Sequence, residues 1–182
     1  MTISQSVSFA LLCVSVMLLP VRNSTAAELG YMTLNGVGRV AVEVEGVRDD
    51  FSRYGLTAAE IRERTISVLR ENGLEVVDAD TQSRNPDTAL LRIDLNANEN
   101  LYRFFLYGLK IEIVQRIPLN NPAGGYVSQV IWQHGQTGMV MPTDMRKLNT
   151  IVSELLTKFL DDYHAQNPQQ LSGSHQVPTP PA

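Results

Sequence analysis

The sequence predicts an α+β fold: a two-layer sandwich in the order β-α-β-β-β-β-α, with a mostly antiparallel sheet and two helices on one face. Three observations predict it. A capped amphipathic stretch covers residues 57–72, several segments alternate apolar and polar residues with a period of two, and a broad helical stripe runs from Met145 to Phe159.

The first strand is Arg39 to Val47. Val40, Val42 and Val44 share one face, while Arg39, Glu43 and Glu45 share the other. The first helix follows. Thr57 is its N-cap, with Glu60 at the third helical position reaching back to it, and Leu56 and Ile61 form the hydrophobic staple. Ala58, Ile61, Thr65, Val68 and Leu69 recur at helical spacing as the inward face. Gly73 ends the helix, with Leu74 and Leu69 placed for the apolar contact that accompanies a left-handed terminus.

Leu74 to Val77 makes a short strand, and a polar loop through Asp78, Asp80, Asn85 and Pro86 leads to the alternating segment Ala89 to Asn96. The longest strand is Arg103 to Ile117, whose apolar face is Phe105, Tyr107, Leu109, Ile111 and Ile113. The turn cluster Pro118 to Gly125 returns the chain as a strand from Tyr126 to about His134, so 103–134 is an antiparallel hairpin. A last helix from about Pro142 to His164 carries Met145, Leu148, Val152, Leu155 and Phe159, widened by Ile151, Leu156, Leu160 and Tyr163. A stripe that broad belongs to a helix lying along a sheet. Residues 28–37 are a poorly patterned lead-in, 38–167 form one α+β domain, and the Gln-, Ser- and Pro-rich residues 168–182 read as a disordered tail.

Residues 1–27 read as an export signal outside that domain. Val7 to Leu19 is apolar apart from Ser8, Cys13 and Ser15; Pro20 breaks it, and Ser24, Thr25, Ala26 and Ala27 offer a cleavage site before Glu28. Met1 to Ser8 lacks Lys and Arg, which leaves an uncleaved anchor as the rival reading, although the apolar run is shorter than the ~20 residues that span a bilayer. A lipid-attachment role for Cys13 is a third reading, set against its place inside the apolar run after Leu12. Cleavage after Ala27 removes the one cysteine and Arg22, so the formal charge goes from -4 to -5 and no disulfide is available. The expected location is periplasmic or secreted. A mildly acidic surface without Lys/Arg clusters argues against nucleic acid and anionic lipid as partners.

Two sets of residues are candidates for function. Trp132 and His134 lie on one face of a strand beside Gly135 and Gly138, where they would frame a small site open to a partner's backbone. The plainer reading makes Trp132 a core anchor, the glycines a bulge or strand end, and His134 a partly exposed side chain. Phe104 and Leu106 point away from the face that continues as core, so they would form an exposed apolar patch unless a loop or neighbouring strand covers them. The acid pairs Asp49-Asp50, Asp78 with Asp80, and Asp161-Asp162 lie in loops or at a helix end, where adjacency alone does not place two carboxyls across a cleft. His134, His164 and His175 have no ligand spacing, so neither a metal nor another cofactor is expected. No Gly-x-Ser-x-Gly elbow, His-Glu-x-x-His or phosphate loop is present.

The motifs Val-Glu-Val-Glu-Gly-Val (42–47), Asn-Gly-Leu-Glu-Val (72–76), Lys-Ile-Glu-Ile-Val-Gln (110–115), Trp-Gln-His-Gly-x-x-Gly (132–138) and Phe-Leu-Asp-Asp-Tyr (159–163) resemble a group of uncharacterised exported bacterial proteins over roughly residues 38–167. That resemblance implies an exported domain and brings no activity with it. The element order also resembles small α+β envelope accessory domains, namely the amino-terminal domain of the Tol-system periplasmic protein and lipoprotein activators of peptidoglycan synthases. The expectation is a non-enzymatic binding or adaptor module of the bacterial envelope. It would engage an envelope protein through a sheet edge or apolar patch. The alternatives are a small-ligand carrier and a hydrolase using His134.

Overall fold

The computed structural model describes residues 33–80, Asn85, 87–119 and 124–168. The expected signal, the cleavage site at Ala26 and Ala27, Cys13 and nearly all of the tail lie outside the described residues.

Among the described residues five strands form one mixed sheet: β1 (Arg39–Glu45), β2 (Glu75–Val77), β3 (Thr88–Glu99), β4 (Phe105–Pro118) and β5 (Tyr126–Val140). Their order across the sheet is β2-β1-β3-β4-β5. The expected antiparallel character holds for the long β3–β4–β5 meander. By contrast β1 runs parallel to both β2 and β3, because α1 (Ala58–Glu71) is the crossover that returns the chain to the same end of the sheet. The second helix, α2 (Lys147–Gln166), follows β5.

Local chemistry sets the ends of α1 as expected. The Thr57 hydroxyl accepts from the Glu60 amide at 3.2 Å. The Glu60 carboxylate accepts from Arg64 one turn on at 3.2 Å, so it serves a helix-surface ion pair in place of the expected return bond to Thr57. At the other end Gly73 adopts a φ of 85°, and the Leu74 amide donates to the Leu69 carbonyl at 3.1 Å, with both leucines buried.

One principal core lies between the sheet and the helices. It joins Ile61, Ile66 and Leu69 of α1 to Leu148, Leu155 and Phe159 of α2 through the odd-numbered residues of β3 and β4. The lead-in contributes Leu34 and Val37, which periodicity did not mark. Their placement is secured by side chains, because the Leu34–Val37 turn has no ladder of its own. Asn167 donates to the Leu34 carbonyl and accepts from the Gly36 amide, both at 2.9 Å, and the Gln166 side chain accepts from the Leu34 amide at 2.8 Å.

Two segments differ from expectation. The residues after β1 form a short 3-10 helix, Asp49–Tyr54, that buries Phe51 edge-on against Phe105 at 5.7 Å between ring centres. The strand expected to stop near His134 continues to Val140. Gly138 does not end it, because Tyr107 of β4 lies over that position: a Cβ there would sit 2.9 Å from the Tyr107 hydroxyl. The glycine is therefore the room the ring needs, inside the strand.

Candidate functional site

The two faces of the sheet have different tasks. Among the described residues, helices cover one face and leave the other bare over its middle. Strand alternation and register order the bare face into rows that cross β3, β4 and β5. At one end stand Asn98, Leu106 and Met139; next come Asn96, Gly108 and Thr137; then Asp94, Lys110 and Gly135; then Arg92, Glu112 and Gln133. Beyond them Leu90, Val114 and Ala41 make a small buried cluster.

The charged row is a connected network. Glu112 is only 5% exposed, yet it accepts from Lys110 at 2.7 Å and from Arg92 at 3.2 Å. Arg92 also meets Glu43 at 3.3 Å and Glu45 at 3.7 Å on β1. Burial works against the Arg92 charge, but the Glu43 hydrogen bond and the charges of Glu45, Glu43 and Glu112 outweigh it and raise its pKa above the usual guanidinium value. The glycine rows leave a shallow, open depression of about 570 Å³, bordered by Asp94, Asn96, Lys110 and Thr137.

The apolar end row continues into the β3–β4 loop. Asn100 builds that loop. Its side-chain oxygen accepts from the Tyr102 and Phe104 amides, each at 3.0 Å, and its backbone amide donates to the Phe104 carbonyl at 2.8 Å. Arg103 is held at a φ of 64°, the left-handed region that side chains with a Cβ disfavour. The loop holds Leu101 98% and Tyr102 81% exposed. Phe104, Leu106, Met139 and Met141 are exposed beside it, with Leu106 and Met139 directly opposite across β4 and β5. Phe104 and Leu106 are therefore both outside the core, Leu106 on the open face and Phe104 in the loop just before β4. The sequence reading missed Met139 and Met141. Ending the strand near His134 left both outside it, and the residues 135–141, Gly-Gln-Thr-Gly-Met-Val-Met, carry no period-two alternation that would have extended it.

Trp132 and His134 stand on the opposite, helix-covered face, opposite Ile113 and Ile111 of β4. The four singled-out residues thus form two separate places, not one. Trp132 is half-buried and packs edge-on against Phe159 at 5.3 Å between ring centres. Its indole N–H donates to Asp162 on α2 at 3.0 Å. That bond, followed by the Lys158 bond at 3.0 Å, holds the Asp162 carboxyl below the usual carboxylate range. His134 is exposed, with its ring 6.4 Å from that of Trp132. Asp50 is engaged by Arg48 and Arg53 in a surface ion cluster. Among the described residues no three His, Cys, Asp or Glu side chains converge as a metal-holding group.

Together these features define a small α+β domain with one covered and one open sheet face, the open face ending in an exposed apolar patch. No protein-family model and no curated protein sequence matches the chain. Among solved structures it is similar to a PelC dodecamer from Paraburkholderia phytofirmans, at 15% identity and a TM-score of 0.40, over 71% of this chain and 91% of that one. It is also similar to the rare lipoprotein B from Shewanella oneidensis, at 15% identity and a TM-score of 0.27, over 75% and 99% of the two chains. A minor lipoprotein from Acinetobacter baumannii matches at 14% identity and a TM-score of 0.25, over 81% and 99%. At these scores the likenesses say nothing about what the chain does.

Proposed function

We propose that the chain is an exported, non-enzymatic binding module of the bacterial envelope that engages a partner protein through the patch formed by Leu101, Tyr102, Phe104, Leu106, Met139 and Met141. The observation that carries this reading is the Asn100 loop. It uses four hydrogen bonds and a disfavoured Arg103 backbone to keep two large apolar side chains in water. Folding alone gives no return on that arrangement, whereas a binding surface does. The apolar segment Val7 to Leu19, followed by small residues, supports export. A carrier or a hydrolase using His134 has less support, since the neighbouring Asp162 already serves Trp132 and Lys158.

The test is photo-crosslinking in the producing cells from a probe at position 102, compared with one at Ser67 on the exposed side of α1. A discrete adduct from position 102 alone, lost on Leu106→Asp, is the expected result. Identical patterns from both positions would refute the patch.

A further inference from the structure

The sheet has two edges, and they are treated differently. The β2 edge is three residues long, and its Glu75 is paired with Arg39 at 3.0 Å. The β5 edge is 15 residues long, Tyr126 to Val140, and among the described residues it pairs with β4 alone. Its sequence, Tyr-Val-Ser-Gln-Val-Ile-Trp-Gln-His-Gly-Gln-Thr-Gly-Met-Val, contains no Asp, Glu, Lys, Arg or Pro. Those are the residues by which edge strands ordinarily avoid pairing. The other three long strands all carry charges: Arg39 and Glu43 on β1, Arg92 and Asp94 on β3, Lys110 and Glu112 on β4. A register shift at Ile131 interrupts β5 once, and from Trp132 to Val140 it is regular.

We infer that the β5 edge is a self-association surface, pairing antiparallel with β5 of a second copy of this chain about a two-fold axis within Trp132–Val140. The inference rests on the reading of the chain as an association module and names one partner for it. Two considerations select a second copy over an unrelated strand. The molecule is net negative, at -4, so two copies repel except where their contact strips carry no charge, and β5 is such a strip. An antiparallel strand pair about a two-fold is also self-complementary in its backbone hydrogen bonds. It therefore needs none of the charge pattern by which an edge selects a different partner. Two five-stranded sheets would join into one of ten strands with the helices of both copies on the same side, because a two-fold that pairs antiparallel strands stands perpendicular to the sheet.

The experiment is sedimentation of the protein purified from its producing cells, across the micromolar range, with variants at Thr137, which is exposed on the regular segment. Wild type is expected to be a dimer. Thr137→Lys puts like charges near each other across the axis and should weaken dimerisation on the order of tenfold or more. An equimolar mixture with Thr137→Glu should restore a dimer containing one of each. Far-UV circular dichroism checks that the variants fold. If Thr137→Lys does not, Thr137→Cys carries the test, since it should form an intermolecular disulfide that a cysteine at Ser67 does not. A wild-type monomer at every concentration, or a dimer indifferent to Thr137→Lys with no Thr137→Cys disulfide, would overturn the inference. Neither result touches the patch, whose adduct from position 102 is read separately.

Discussion

Phe105 and Leu106 are consecutive residues of one strand, and the two faces of the sheet give them opposite settings. Phe105 is 2% exposed and packs against Phe51 and Tyr54; Leu106 is 49% exposed and faces Met139 across the ladder. The covered face uses apolar surface to hold the fold. The open face holds itself together with the Arg92–Glu112–Lys110 network and leaves its apolar end free. A residue's hydrophobicity is therefore a poor guide to its role here, and the face it occupies is a good one.

The largest expected effect is on the covered side. Phe159→Ala removes a fully buried ring that touches Trp132 and Tyr163 and should cost about 3–5 kcal/mol in denaturant unfolding. Leu106→Ala should stay within about 0.5 kcal/mol of wild type. A comparable loss at both positions would mean that the open face is not bare. Glu112→Ala comes next. It removes the one acceptor that Arg92 and Lys110 share, and chemical denaturation should show a loss of about 1–3 kcal/mol, tempered by the partial exposure of both cations.

A smaller effect falls at the seam between strand and helix. Trp132→Phe keeps one aromatic ring, trims the indole and deletes the hydrogen bond to Asp162, for a loss of about 1–2 kcal/mol at neutral pH. Asp162 is held below the usual carboxylate range, so its contribution is present above the ordinary carboxylate pKa and is lost as pH falls through the lowered folded value. The variant's deficit should accordingly shrink when unfolding is repeated at about pH 3. The smallest effect is a gain. Arg103→Gly relieves a left-handed backbone and should stabilise by a few tenths to about 1 kcal/mol, read as a rise in the urea midpoint.

How much of this was legible in the sequence differs by element. The α1 boundaries were, because Thr57, Gly73 and Leu74 each act on backbone groups within a few residues. The odd-numbered face of β4 was too, since a period of two is a local property. The burial of Leu34 and Val37 was not, because it depends on Asn167 and Gln166, which are remote in sequence. The full length of β5 was hidden for a related reason. Gly135 and Gly138 read as a strand end until Tyr107 of the neighbouring strand is seen to occupy the space above Gly138. At the candidate sites, alternation put Phe104 and Leu106 outside the core and paired Trp132 with His134. The Asn100 loop geometry that displays Leu101 and Tyr102 lay beyond any pattern in the residues.

The mixed topology also has a consequence in time. The meander β3–β4–β5 joins neighbours through short connections, whereas pairing Arg92 with Glu43 closes a separation of 49 residues across the whole of α1 and β2. Closing the longer loop costs more chain entropy and comes later. The meander is therefore expected to pair before β1 docks on β3, which pulse-labelled hydrogen exchange would register as earlier protection of β4 amides than of β1 amides. Until β1 docks, the chain offers two open edges at once, β5 and the side of β3 that β1 will fill.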